Sequence, residues 1–318
     1  MMQQHRDSFA LPEAFIQAHY FAPLEAFGML VVGGKDALPF LQGQLTLDMR
    51  CIHHNTARLG AYCTIQGRMI ANFLVWQQGA EYGLVMSRDL IDNTKKILQK
   101  HTLRHQVTLT CQSDEYMFIG LSESVALTTF QLSKQTSKTY QTIQQNACFA
   151  TRLPNHTWIV GIPRHIKQAF LATLDTIAPS IDAMYWQLAQ IRSGIAWLCH
   201  ETAEAFLPQM ASMDLWEAVS FNKGCYKGQE VVARARYLGQ VKRHLYHIQS
   251  DMPLAVGEIL SHPAHPAEAI GQIVQICPIN QTTYEALAVM KDAVWGEQTC
   301  LNLAQGTIQP IQRFAAKL

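Results

Sequence analysis

The chain has 318 residues, 48% of them hydrophobic and 15% charged, with a net charge of +1 and a pI near 7.7. That is enough apolar material for a large core, at a length that favours two or three domains over one. The near-zero charge excludes a global field for nucleic acid or membrane, so any polyanion site has to be a local patch.

In chain order, the first ten residues have no apolar stretch, an early acid and little arginine, so neither a secretory signal nor a transit peptide is expected. No run of about 18 uncharged apolar residues follows, so no membrane span is predicted and a cytoplasmic protein is expected. Met29-Leu-Val-Val32 reads as a buried strand ended by Gly33-Gly34. Asp36 then N-caps a helix carrying Leu38, Phe40, Leu41 and Leu45, with Pro39 in its first turn. From Leu59 the pattern becomes hairpins: strands at 60–64 and 70–76 flank Gln66-Gly67, and 83–86 follows Gln78-Gly79. Ser87 opens a helix with Leu90, Ile91, Thr94, Ile97, Leu98 and His101 at helical spacing, and a strand at 107–110 completes an α+β unit.

A strand at 116–121 is followed by a polar stretch, 128–145, expected at the surface. Strands at 147–153 and 157–162 lead to two helices, one over about 163–174 and one opened by Ser180 and closed by Gly194. The second helix carries Ile181, Met184, Tyr185, Leu188 and Ile191 on one face and turns Trp186 and Gln190 away from it. After Lys242 only short strands remain, separated by Pro, Gly, His and Asn, which predicts a small β-barrel or sandwich.

The eight cysteines form no C-x-x-C pair and read as reduced, mostly buried thiols. No metal is expected. His101 and His105 have i,i+4 spacing, but no Glu follows the first and no third ligand is near; His53-His54 and His262/His265 fall in turns. Cys225 is different, lying between Gly224 and Gly228 with Lys223 and Lys227 two residues away on either side. Glycines permit close approach and positive φ, and the lysines and a helix start would favour the thiolate. A small buried hydrophobe is the other reading, and the local residues do not separate the two. The same stretch holds Lys223, Lys227, Arg234, Arg236, Lys242 and Arg243 against one acid, Glu230. It is either a solvated cationic face or a site for a glutamate tail, a phosphate or RNA.

The octapeptide Lys223-Gly-Cys-Tyr-Lys-Gly-Gln-Glu230, continuing Val-Val-Ala-Arg234, resembles the hallmark of the YgfZ-type folate-binding proteins, relatives of the glycine-cleavage aminomethyltransferases. Three further stretches match in order: Leu41-Gln-Gly-Gln-Leu-Thr-Leu-Asp48; Gly60-Ala-Tyr-Cys with Gly67-Arg-Met69; and Gln190-Ile-Arg-Ser-Gly194 leading to Phe206-Leu-Pro-Gln209. The resemblance covers most of 25–245. It implies an α+β, three-domain aminomethyltransferase-like fold around a central opening. A discontinuous folate-binding domain (1–52 and 113–205) would carry a ferredoxin-like insert (53–112). A connecting segment (206–241) would hold the Cys225 loop, and a β-barrel (242–318) would close the chain.

The resemblance further implies binding of tetrahydrofolate or a one-carbon derivative, with Trp186 and Phe27 at the folate site, Phe27 standing where the family has tryptophan. The expected function is an auxiliary factor for assembly, maintenance or repair of iron–sulfur enzymes, including one that thiomethylates tRNA. Cys225 would be the functional thiol. Lys223, Lys227 and Arg234 would hold the thiolate or the folate tail, and Tyr226, Gln229 and Glu230 would complete the loop. Partners would be folate and, transiently, iron–sulfur enzymes or assembly proteins, with tRNA reached only indirectly and no membrane. Two alternatives stand beside this: a folate-dependent aminomethyltransferase or demethylase, and an RNA-binding module using 223–243. The Cys-centred loop belongs to the YgfZ branch rather than to free-standing aminomethyltransferases.

Overall fold

The computed structural model describes residues 19–315 except 135–136, 146, 238–240, 263–264, 295–300 and 304–305; the first ten residues and Cys300 lie outside the described residues. The chain enters through β1 (Phe21–Pro23) and β2 (Phe27–Gly33), and β2 is buried along nearly its whole length, which requires cover on both faces. In α1 (Ala37–Gln44), Ala37, Phe40 and Leu41 face the core while Leu38 is exposed. Asp36 makes no cap bond to this helix; its carboxylate instead accepts the Gln106 N–H at 2.7 Å, tying down a later loop.

The expected hairpins are β3 (Arg58–Cys63), β4 (Met69–Gln78) and β5 (Glu81–Ser87). α2 (Ile91–Gln99) buries Ile91, Thr94 and Leu98, and β6 (Thr108–Cys111) follows. Together they form an antiparallel sheet in the order β3-β4-β5-β2-β6, with α2 packed on β2 and β6. β2 thus comes from outside the 53–112 span and sits inside its sheet. Period-2 patterning shows that a strand has buried faces, but not which strands it pairs with.

A second sheet combines β7 (Tyr116–Leu121), β8 (Thr142–Gln145), β9 (Cys148–Arg152) and β10 (Trp158–Pro163) with β1, in the order β1-β7-β10-β9-β8. A short helix, α3 (Glu123–Thr129), runs into the stretch expected to be surface. That stretch also hides an anchor: Tyr140 is buried and its hydroxyl donates to the Trp216 carbonyl. An isolated Tyr, ten residues from Phe130, the other aromatic of that stretch, gives no periodic signal among Thr, Gln and Lys.

α4 (Lys167–Asp175) and α5 (Ala183–Ser193) follow. Asp182, not Ser180, caps α5 by accepting the Met184 N–H at 2.8 Å. Gly194 ends it at φ +70°, with the Phe314 ring where a Cβ would lie. The single apolar face expected for α5 is corrected: Trp186 and Gln190 are buried along with Leu188 and Ile191. The reason is placement. α5 lies between β1 and β7 on one side and the C-terminal strands on the other, so two of its faces are covered.

After α6 (Gln229–Tyr237) come β11 (Arg243–Ser250), β12 (Ile259–His262), β13 (His265–Pro278), β14 (Tyr284–Lys291), β15 (Leu301–Leu303) and β16 (Gly306–Phe314). His262 and His265 are therefore strand ends rather than loop residues. These strands make one antiparallel sheet, β12-β13-β14-β11-β16-β15. Register shifts in three of its pairings bend it, but the edges β12 and β15 do not pair, so no closed barrel is seen among the described residues. One apolar core nevertheless runs from the β2 sheet through α5 to Leu245, Val289 and Phe314. No described helix is long and apolar enough to cross a membrane.

Candidate functional site

The residues expected to form one site fall into two places. The first is a cavity of about 190 Å³ where the first sheet, α5 and β13 meet. Phe27 opens β2, Trp186 projects from α5, and both line it with Trp197, Cys199 and Gln275. Phe27 meets Trp186 edge-on at 5.7 Å and Trp197 edge-on at 4.9 Å. Trp186 is held tightly, since a Cβ on Gly120 would fall 2.3 Å from its ring. Trp186 and Trp197 are only 2% and 5% exposed, yet neither indole N–H has a hydrogen-bond partner. Both indole nitrogens are closed off from solvent, and that of Trp186 packs against Gly120 of β7, so the rings and not their N–H groups form the cavity wall.

Trp197 was not singled out from the sequence. Its signal was a tryptophan three residues beyond a helix-ending glycine, a position set by the chain turning back after α5. The wall it belongs to is fastened by polar bonds. The Trp197 N–H donates to Gln275 Oε1 at 2.8 Å, and Asn72 on β4 grips both Ala196 O and the Leu198 N–H. Burial raises the Cys199 thiol to about 11, and its hydrogen bond to Glu201 acts in the same direction. Asp89 joins these two, with one ligand atom of each within 4.8 Å of the others, although the sequence gave no metal signal. The Cys199–Glu201 hydrogen bond already engages both of those groups.

The second place is the Cys225 loop. Cys225 is exposed, so the buried-hydrophobe reading does not hold for it. Nor are the cysteines mostly buried: Cys51 and Cys111 are exposed, Cys199 is intermediate, and Cys63, Cys148 and Cys277 are buried. The flanking lysines do not reach for the thiol. Lys223 is 7% exposed, and its ammonium donates to the carbonyls of Leu45 and Leu47 at 2.8 and 2.7 Å. Burial lowers it to about 8, against the pull of Asp48. Lys227 donates to the Tyr62 hydroxyl at 3.1 Å, lies over that ring, and approaches His101. Burial, then the Lys227 charge, holds His101 below its ordinary value.

Gln229 does order the loop, its Oε1 accepting the Tyr226 N–H at 3.3 Å. Glu230 pairs with Arg234 in an exposed i,i+4 bridge, and Arg236 covers the Phe221 ring. Tyr226 is buried with its hydroxyl unpartnered, and burial raises its pKa. Neither Lys227 nor Arg234 lines the aromatic cavity.

What the fold adds is convergence. Leu45 and Leu47 of the first matching stretch receive Lys223, while Thr46 between them accepts the Ser220 N–H and donates to Ala218 O. Tyr62 of the second stretch receives Lys227. Gly228, at φ +82°, presses on that stretch's turn, where a Cβ would lie 2.4 Å from Thr64 O. Gln209 of the third stretch donates to Val232 O. All four stretches thus converge: the first two and Gln209 support the Cys225 loop, and Gln190 sits four residues along α5 from the cavity's Trp186. β4 connects the two places, with Asn72 at the cavity wall and Met69, three residues or roughly 10 Å of strand away, bonded to Phe206 and Glu204.

No protein-family model matches the chain. It is 27% identical over 242 residues to the tRNA-modifying protein YgfZ of Sodalis glossinidius, covering 74% of each chain. To the protein of that name from Photobacterium profundum it is 25% identical over 293 residues, covering 86% of this chain and 88% of that one. Among solved structures, the glycine cleavage system aminomethyltransferase T from Bartonella henselae matches with a TM-score of 0.74 at 14% identity, over 93% of this chain and 86% of that one.

Proposed function

Starting from a chain related to YgfZ proteins over most of its length and folded like a glycine-cleavage aminomethyltransferase, we propose a folate-binding factor acting in tRNA modification. Tetrahydrofolate or a one-carbon derivative would bind in the Phe27–Trp186–Trp197 cavity, and Cys225 would be the functional thiol. The protein would serve iron–sulfur enzymes, among them one that thiomethylates tRNA, rather than the tRNA itself. The observation that carries this is the aromatic wall itself: Phe27, Trp186 and Trp197 line one cavity and pack ring to ring. A flat heteroaromatic ring such as a pterin packs well on such a surface. Reduced folate would supply one-carbon chemistry there; the chain's own aromatic residues would stack the ring and shut out water.

Lys223 and Lys227 bond to Leu45, Leu47 and Tyr62, Arg234 pairs with Glu230 on its own helix, and none of the three lines the cavity, which speaks against their holding the folate tail. The same engagement weakens the RNA-binding alternative, since four of the six cations in 223–243 act locally. The aminomethyltransferase alternative keeps the fold in its favour. Robust formation of methylene-tetrahydrofolate from a glycine-cleavage intermediate or from dimethylglycine would promote it. The three-domain division also belongs to this proposal, with β2 moved into the inserted sheet and the C-terminal sheet standing in for the barrel.

The test is a fluorescence-quenching titration with tetrahydrofolate. Wild type should bind, and Trp186→Ala, checked for a cooperative melt, should lose on the order of 100-fold in affinity. Unchanged affinity in a folded variant would move the site elsewhere. For the thiol, Cys225→Ala should fail to support iron–sulfur enzyme activity in cells.

A further inference from the structure

Lys223 is an unusual residue for a loop. Its ammonium is buried, and among the described residues no carboxylate lies within ion-pair distance of it. It reaches two alternate carbonyls of a segment more than 170 residues earlier in the chain, those of Leu45, which ends α1, and Leu47. Its Nζ also stands 5.2 Å over the Tyr226 ring, on the far side of Cys225 in the loop. The groups facing it are Asp48 and Arg50 from the turn after α1 and Tyr226 from its own loop. Burying a charge without a counter-ion is unfavourable, in keeping with its lowered basicity, and the two carbonyl bonds offset that cost. The ammonium thus directs its donors to joining two distant segments and not to an ion pair.

We infer that Lys223 is a positioning residue for Cys225, a cationic clip whose N–H donors hold the 222–226 backbone to the Leu45–Leu47 segment so that the thiol is presented in one geometry. This rests on the proposed role of Cys225. The neighbouring bonds agree with it: Thr46 holds the segment before the loop through Ser220 and Ala218, Lys227, Gly228 and Gln229 fix its far end at Tyr226 and the turn into α6, and Lys223 ties down the part that carries Gly224 and Cys225. Gly224 itself meets nothing, so the loop has no packing of its own at that point.

The experiment compares wild type, Lys223→Met and Lys223→Arg by hydrogen exchange, thermal melting and activity in cells. Lys223→Met should keep a melting temperature close to wild type while exchange across 222–226 rises roughly ten-fold and activity falls. Lys223→Arg, which keeps the charge and two forked donors, should restore loop protection and activity. Should the Met variant not fold, Lys223→Gln, too short to span both carbonyls, is read the same way. Wild-type exchange in the Met or Gln variant overturns the clip. So does a melting temperature that falls in step with the exchange, which marks a merely structural lysine. Cys225→Ala separates the two claims: full activity there with a loosened loop in Lys223→Met retires the thiol and keeps the clip.

Discussion

The aromatic cavity and the Cys225 loop solve opposite problems with the same sheet. The cavity is preformed, walled by aromatic rings that pack on one another. The loop exposes the Cys225 thiol and buries hydrogen bonds that hold the backbone beneath it. A surface shaped in advance suits a bound ring, whereas an exposed thiol gains a fixed direction only from a bonded frame below it. The two stand at one end of the first sheet, joined through β4, so they are separable by mutation.

The largest effect should come from the latch behind the cavity. Arg192 of α5 donates to Glu285 of β14, which also bonds His247. Glu285→Gln should cost roughly 3 kcal/mol in chemical denaturation and weaken folate binding, with loop exchange unchanged. Burial pushes the Glu285 carboxyl up, but the bonds from Arg192 and His247 outweigh it and bring it from 4.5 to about 2. Its contribution is therefore complete above about pH 4.5 and lost as pH falls toward 2; the variant should lack that acid limb. Equal losses at both places would end the separation.

Next, Gly228→Ala forces a Cβ onto Thr64 O at φ +82°. It should cost about 1–3 kcal/mol and disorder the loop while tetrahydrofolate affinity holds. Trp197→Phe keeps an aromatic wall but a smaller one, so affinity should fall about five-fold, or ~1 kcal/mol, with Cys225 unaffected. A smaller effect follows from Lys223, lowered from 10.5 to about 8 by burial. The folded chain releases that proton first, so stability should rise with pH across this window, and Lys223→Met should flatten the rise. Smallest is Gly224→Ala, which meets nothing and should change the melt by less than about 0.5 kcal/mol. A large loss there would mean that the loop closes onto something in use.

By itself the sequence determined what local rules govern. Hairpins around Gly67 and Gly79, the helix over 91–99 and the αL stop at Gly194 follow from periodicity and turn chemistry within a few residues. Three of the matched stretches do meet around the Cys225 loop, and Gln229 bonds Tyr226 within it. The tertiary structure decided where the charges point and which faces are covered. Lys223 and Lys227 flank Cys225 in sequence but turn to Leu45, Leu47 and Tyr62, because a buried ammonium takes the nearest acceptors in space. Trp186 left its helix's apparent apolar face and became buried because a second sheet covers α5, and Trp197 joined it only once the chain had folded back. Burial on two sides and contacts across more than 170 residues leave no local pattern, and both halves of the candidate site depend on them.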